Sequence, residues 1–156
     1  MRVLIVCSGN TCRSPLAAAA LSAALGPELA RVEVSSAGIA AAEGLPASVQ
    51  SMAVAARSGI DLSAHRSRLA TSERVHAADL ILAMETHHLE AVDALGADFG
   101  KSHLLSTWPE PGEPGLEIAD PFGGSIEAYE ECWSRIQRHV ARVAPHIIET
   151  LRSRSL

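Results

Sequence analysis

A short strand-like run that leads through a polar loop into a helix-like segment constrains the fold of this chain more than any other feature. Residues 2–6 (RVLIV) are largely apolar and β-branched and precede Ser-Gly-Asn, which is typical of a buried strand. Ser14 suits a helix N-cap and Pro15 the first helical position, and the helix formers LAAAALSAAL follow until Gly26. The sequence therefore predicts a strand, a loop and a helix in immediate succession.

The same alternation continues along the chain. Further strands are predicted at residues 31–38 (RVEVSSAG), 78–84 (ADLILAM) and 103–106 (HLLS). Further helices are predicted at 46–59, at 85–96 and at 125–152, where Pro145 can introduce a bend. Strands that alternate with helices favour an α/β fold, with a parallel sheet flanked by helices. We expect a single domain over residues 1–156.

Charge and cysteine content narrow the classes of function. Lys plus Arg total 13 and Asp plus Glu total 18, and the formal net charge of -5 argues against nucleic-acid and membrane partners. The apolar run before the first loop is too short for a signal peptide or a membrane span. Three cysteines without disulfide spacing indicate thiols kept reduced, so we expect a cytoplasmic protein. The histidines form no metal-binding motif, and the oligomeric state stays open.

Cys7 and Arg13 flank the first loop in a C-x5-R pattern, which alone is weak, with about 0.2 chance matches in such a composition. The pattern lies between the first predicted strand and the first predicted helix, and parallel sheets bind ligands where their strands end. Loop amides and a helix N-terminus together form an anion-binding site there. We expect a lowered pKa and a nucleophilic thiolate at Cys7, and a phosphoryl-binding guanidinium at Arg13. Gly9, which has no Cβ, permits the backbone of this loop to curve around an anion. Ser14 either donates to the thiolate or caps the helix.

A general acid is expected in the irregular segment 107–125, which contains four prolines and four glycines. Asp120 is preferred, because Pro121 rigidifies the chain after it, Phe122 gives an apolar neighbour and two glycines form a hinge. The alternative is a solvated loop carboxylate. The carboxylates considered in this segment are Glu110, Glu113, Glu117 and Asp120.

The motif VCSGNTCRSPLAAA at 6–19 closely resembles the active-site loop of the low-molecular-weight protein tyrosine phosphatases. ADPFGGS at 119–125 resembles the Asp-Pro loop of that family, and VSSAG at 34–38 and AHRSR at 64–68 agree as well. The resemblance implies a four-stranded parallel sheet flanked by helices. It also implies Cys7 as nucleophile, Arg13 as phosphate ligand and Asp120 as general acid.

The resemblance further implies which residues bind substrate and support the loop. Asn10, Ser14, Ser36 and His65 would form a polar network that holds the loop, although His65 could also be an exposed loop histidine. A phosphocysteine would form and be hydrolysed, with no metal or other cofactor, because loop amides and Arg13 supply positive charge. The substrate-binding residues would be Ser8, Gly9, Asn10, Thr11, Cys12, Ser14 and Phe122.

Two positions bear on the substrate, which the resemblance implies to be a phosphorylated protein. Tyrosine-specific members commonly carry an aliphatic residue in place of Thr11 and aromatic residues after Asp-Pro, where this chain has Phe122-Gly123. These features resemble the protein arginine phosphatase branch. Phosphoarginine is therefore favoured, with phosphotyrosine as the alternative. Thr11 could also simply satisfy a loop amide.

Three other functions fit the sequence less well. An arsenate reductase of this fold needs additional redox cysteines, and only Cys12 and Cys132 are present besides Cys7. A sugar-uptake phosphocarrier domain lacks a matched Arg13 and an Asp-Pro acid. A phosphate-binding module needs no nucleophile. The spacing of Cys7 and Cys12 also predicts a reversible disulfide on oxidation.

Overall fold

A four-stranded parallel sheet forms the centre of the protein in the order β2-β1-β3-β4. The computed structural model describes residues 1–112 and 117–155. The α/β architecture predicted from the sequence is confirmed. The strands are β1 Arg2–Cys7, β2 Glu33–Gly38, β3 Leu80–Ala83 and β4 Ser102–Leu104.

Helices cover both faces of this sheet. The α-helices are α1 Arg13–Leu25, α2 Val49–Arg57, α3 Ser72–Ala77, α4 Thr86–Ala94 and α5 Ile126–Ser153. A 3₁₀ helix over Gly26–Arg31 and the short α3 were not predicted. Each has 6 residues, which is too short for a helical hydrophobic period to be visible.

Strand β1 is buried on both faces, and alternate residues enter two different cores. Val3, Ile5 and Cys7 pack with side chains of α1, α2 and α5. Leu4 and Val6 pack on the opposite face with side chains of α3 and α4. Because side chains alternate along a strand, the last residue of β1 faces the layer that contains α1 and α5. The alternation of side chains along β1 therefore places the Cys7 thiol beside the N-terminus of α1.

The start of α1 differs from the sequence prediction. The helix begins at Arg13 with Cys12 at the N-cap position, so Ser14 is the second helical residue rather than the cap. Pro15 is tolerated at the third position because first-turn N–H groups have no partner within the helix. The Ser14 hydroxyl is therefore available for contacts outside the helix.

The C-terminal helix α5 spans 28 residues and continues through Pro145. Ser125 caps it by accepting a hydrogen bond from the Ala128 backbone N–H. Within the described part of 107–125 no helix or strand occurs, as predicted. None of the helices in the described residues has the length and apolar character that crossing a bilayer requires.

Candidate active site

The loop between β1 and α1 is tightly curved and packs closely against the end of β2. Asn10 is buried and has a φ of 55°, in the left-handed region that few non-glycine residues adopt. A Cβ atom on Gly38 would lie 2.4 Å from the Ser8 carbonyl oxygen and 2.9 Å from the Asn10 nitrogen. Glycine at position 38 therefore allows the loop to approach β2.

The Asn10 side chain is the centre of a buried polar network. Its Oδ1 accepts from the Arg68 backbone N–H at 2.9 Å, which identifies Nδ2 as the donor to Ser14 Oγ at 2.8 Å and Ser36 Oγ at 2.9 Å. His65 Nε2 donates to the Asn10 carbonyl oxygen at 2.7 Å. The structure thus brings Asn10, Ser14, Ser36 and His65 together. It adds Arg68, which acts through its backbone and which the sequence did not indicate.

The Cys7 thiol lies at one end of this network, with Sγ 2.9 Å from Ser14 Oγ. Asn10 donates to the Ser14 oxygen, and the Ser14 hydroxyl can donate its own proton to a Cys7 thiolate. Burial nevertheless raises the pKa of the Cys7 thiol, and the opposing effects of Ser14, the Arg13 charge and the Asn10 amide are smaller. The expected lowered pKa was wrong, because burial of the sulfur outweighs the anion-stabilising contacts.

The Arg13 guanidinium is buried, with a side chain that is 1% exposed. Its Nη1 donates to Glu85 Oε2 at 2.7 Å and to the Ile118 carbonyl at 2.8 Å. Its Nη2 has no hydrogen-bond partner among residues 1–112 and 117–155, and it lies 3.5 Å from Asp120 Oδ2. A buried charged donor without an acceptor is costly, so Nη2 is suited to an anion bound beside it.

Asp120 is the only predicted acid found at Arg13 among the described residues. Its Oδ1 accepts from the Phe122 backbone N–H at 3.1 Å. Glu117 instead accepts from the Thr86 backbone N–H at 2.7 Å, and this bond lowers the Glu117 pKa. Glu110 lines a different cavity, and Glu113 lies outside the described residues.

A cavity of about 220 Å³ opens in front of the loop. The predicted substrate-binding residues Ser8, Asn10 and Ser14 are not part of its lining. The Asn10 and Ser14 side chains are buried in the loop network and the Ser8 side chain bonds to His88, so the backbone N–H groups of these residues are what they can offer a substrate, and their substrate-binding role stays a prediction. The lining residues are Cys7, Gly9, Thr11, Cys12, Arg13, Asp120 and Phe122.

Cys12 has a supporting position in the wall of the cavity. Its Sγ lies 3.4 Å from Ser48 Oγ and 3.6 Å from the Tyr129 hydroxyl. Cys132 is buried on α5, where burial raises its pKa to about 12. All three cysteines are free. Cys7 lines the cavity, and its contacts with Ser14, Arg13 and Asn10 favour the thiolate.

Glu85 and His88 at the start of α4 are site residues that the sequence analysis missed. They follow a buried strand at the carboxyl edge of the sheet, which was the only signal that could have indicated them. Ligand atoms of Glu85, His87 and His88 lie within 4.8 Å of one another. Both His88 ring nitrogens and the Glu85 carboxylate already have partners, so a metal ion would have to displace these bonds.

A family model, individual relatives and solved structures all resemble this chain. The model described as low molecular weight phosphotyrosine protein phosphatase matches residues 2–154. A protein-arginine-phosphatase of Geobacillus stearothermophilus is 40% identical over 148 residues, covering 92% of this chain and 93% of that protein. The low molecular weight protein-tyrosine-phosphatase Etp of Escherichia coli strain K12 is 36% identical over 137 residues, covering 87% of each.

A solved structure of the YwlE arginine phosphatase gives a TM-score of 0.86 at 30% identity and covers 94% of this chain and 95% of that chain. That structure is of a cysteine-to-serine mutant whose active-site serine is phosphorylated. The family model spans nearly all of this chain, and the relatives match over most of their own length. The chain therefore belongs to the low molecular weight phosphotyrosine protein phosphatase family of cysteine-dependent hydrolases.

Proposed function

We propose that this chain is a protein arginine phosphatase in which Cys7 is the nucleophile, Arg13 binds the phosphoryl group and Asp120 is the general acid. One observation carries this proposal. Cys7, Arg13 and Asp120 line one cavity, and within the part of the chain that the structure describes the buried Nη2 of Arg13 has no hydrogen-bond partner. A phosphoryl oxygen would supply the acceptor that this guanidinium lacks.

The first chemical step is attack on phosphorus. The Cys7 thiolate forms a sulfur–phosphorus bond while the bond from phosphorus to the guanidino nitrogen breaks. Asp120 gives its proton to the departing nitrogen, and Arg13 with the loop amides stabilises charge on the equatorial oxygens. The Ser14 hydroxyl, 2.9 Å from the sulfur, favours the thiolate against the effect of burial.

The second step hydrolyses the phosphocysteine. Asp120, now a carboxylate, accepts a proton from the attacking water, and the oxygen displaces the Cys7 thiolate to give inorganic phosphate. Asp120 Oδ2 lies 3.5 Å from Arg13 Nη2, so the base stands beside the group that holds the phosphoryl oxygens. One residue thus serves as acid and then as base.

The choice of phosphoarginine depends on Thr11 and on the relatives. Thr11 lines the cavity, and its Oγ1 makes a weak contact with Cys12 Sγ at 3.8 Å, which leaves capacity for a hydrogen bond with substrate. A guanidino group presents several donors, and an aliphatic side chain at this position would leave them unpaired. The similarity to a protein named protein-arginine-phosphatase, at 40% identity, supports the same choice.

Phosphotyrosine is the second candidate substrate. Phe122 lines the cavity and is 76% exposed, so its ring could stack on a substrate phenyl group. The relative named Etp is a protein-tyrosine-phosphatase.

We further infer a cytoplasmic location for the enzyme, which the three free cysteines support.

The decisive experiment measures kcat/KM on two peptides that differ only in carrying phosphoarginine or phosphotyrosine. We expect the wild type to prefer phosphoarginine, and Cys7→Ser to abolish turnover while retaining phosphate binding. Preference for phosphotyrosine would replace the first candidate with the second. Turnover of either substrate by Cys7→Ser would overturn the assignment of the nucleophile.

A further inference from the structure

His88, in the first turn of α4, is fully buried and bonded through both ring nitrogens. Nδ1 lies 3.1 Å from the Glu85 backbone nitrogen, and Nε2 lies 2.9 Å from Ser8 Oγ. A backbone N–H only donates, so Nδ1 must be the acceptor. The neutral ring therefore carries its proton on Nε2 and donates it to Ser8.

The two partners of His88 belong to different parts of the active site. The Glu85 carboxylate holds Arg13 Nη1 at 2.7 Å and so orients the guanidinium. Ser8 directly follows the nucleophile Cys7, and its carbonyl accepts from the Ala40 N–H at 3.0 Å. His88 therefore connects Ser8, which follows the nucleophile, to Glu85, which holds the Arg13 guanidinium.

Strand β1 lies between β2 and β3, so this connection attaches the loop from the β3 side of the sheet, whereas the Asn10 network attaches it from the β2 side. Arg68, Ser36 and His65 hold Asn10 from β2 and the segment that follows α2. The bond from His88 to Ser8 links the loop to α4. Gly9 lies between Ser8 and Asn10 and lines the cavity. The His88–Ser8 bond and the Asn10 network therefore fix, from its two ends, the stretch of backbone that would face a bound anion.

We propose that His88 is a positioning residue, which fixes Ser8 relative to the Glu85–Arg13 pair so that the nucleophile and the guanidinium meet the same phosphoryl group. The inference rests on the proposed function, because it assumes that the loop binds a phosphoryl group. Burial, followed by the nearby Arg13 charge, lowers the His88 pKa to about 4. The ring is then neutral near pH 7, in the form that makes both bonds.

The tautomer is tested first, in the wild-type protein. Two-dimensional NMR of the ¹⁵N-labelled histidine rings at pH 7 should show His88 neutral and protonated on Nε2. Ser8→Ala should shift the Nε2–H resonance of His88. An imidazolium, or a ring protonated on Nδ1, would overturn the inference without any variant of His88.

The positioning role is tested by vanadate affinity, because vanadate occupies a phosphoryl site without turnover. His88→Asn keeps an acceptor for Glu85 but cannot reach Ser8, and Ser8→Ala removes the other partner. Each change should raise the vanadate Kd about fivefold to tenfold, and the double variant should raise it no further. His88→Gln, which retains a donor near Ser8, should remain within about twofold of the wild type.

The matched control is His76→Asn on α3, an exposed histidine away from the cavity, which should leave the vanadate Kd unchanged. A purely structural role for His88 would lower the Tm but not alter the Kd of the folded fraction. Unchanged Kd values, or effects that add in the double variant, would overturn the inference alone. A wild type that binds no vanadate would overturn the proposed function together with it.

Discussion

The two terminal nitrogens of Arg13 have different surroundings, and this difference organises the site at the residue scale. Nη1 donates both of its hydrogens, to the Glu85 carboxylate and to the Ile118 carbonyl, and these two bonds fix the plane of the guanidinium. Nη2 makes no hydrogen bond with any described residue and lies near Asp120. In the proposed function, a phosphoryl group would bond to Nη2 without reorienting the side chain, which is the benefit of a preorganised charge.

The rate loss on replacing Asp120 should be larger for substrates whose leaving group depends more on receiving a proton. Asp120→Asn should slow hydrolysis of phenyl phosphate by about a hundredfold or more, because general acids contribute about 10²–10⁴ in rate. p-Nitrophenyl phosphate, whose leaving group is stable without a proton, should be affected far less. The measurement is kcat on both substrates, with Glu117→Gln as a control. Equal losses on both substrates would indicate a structural role for Asp120.

Thr11 should determine which substrate is preferred. Thr11→Ile removes the hydroxyl and adds an apolar surface, so kcat/KM should fall on phosphoarginine peptides and be retained or rise on phosphotyrosine peptides. The ratio of the two values should change about ten- to a hundredfold, the scale of one unpaired polar group. Thr11→Ser keeps the hydroxyl and should retain the wild-type ratio. Equal losses on both peptides would show that Thr11 does not discriminate between them.

At the scale of secondary structure elements, the end of β2 determines how closely the loop can pack. Gly38 pairs with Cys7 in the sheet, and its N–H donates to the Arg68 carbonyl at 2.8 Å. The same strand contributes Ser36 to the Asn10 network. Strand β2 therefore supports the loop through both its backbone and one hydroxyl.

Gly38→Ala should disrupt the loop, because the new Cβ would lie 2.4 Å from the Ser8 carbonyl oxygen. Overpacking typically costs about 1–3 kcal/mol, so we expect a lower Tm and at least about a tenfold weaker vanadate affinity. The new Cβ would also lie 2.8 Å from Ala41 Cβ. Adding Ala41→Gly relieves that contact but not the backbone one, and it should not restore binding. Wild-type affinity in Gly38→Ala would contradict this account.

The sequence predicted elements better than their ends. The strand–loop–helix unit was visible because β1 is short and β-branched and α1 is rich in alanine. The start of α1 was misplaced because Ser14 and Pro15 match the usual cap pattern, whereas the Ser14 hydroxyl bonds to Cys7 instead. A local pattern cannot reveal that a tertiary contact uses the capping side chain.

At the scale of the whole molecule, the candidate site joins residues that are distant in the sequence. The pairing of Arg13 with Glu85 and with the Ile118 carbonyl depends on the packing of β3, α4 and the segment before α5. Local motifs identified Cys7, Arg13 and Asp120, but Glu85 and His88 have no local signature. The raised pKa of Cys7 was missed for the same reason, since burial is a property of the complete fold.

The dependence of stability on acid pH should also reflect the complete fold, through the buried His88 and the partly buried His65. Burial lowers the pKa of His88 from 6.5 to about 4 and also lowers that of His65. Between pH 4 and 6.5 the unfolded chain then binds more protons than the folded protein. The free energy of unfolding should be highest above pH 6.5 and fall as the pH drops toward 4, by at most about 1.4 kcal/mol per pH unit for each proton.

The contribution of His88 can be isolated by measuring Tm between pH 4 and 7 in the wild type and in His88→Asn, because asparagine does not titrate. His88 interacts with Arg13 and His87, which oppose its protonation, and with Glu85 and Asp120, which favour it. Burial and the opposing interactions outweigh the carboxylates, so the variant should lose less of its Tm on acidification than the wild type. His76→Asn should keep the wild-type slope. Identical slopes for wild type and His88→Asn would mean that His88 titrates in the folded protein as it does in the unfolded chain.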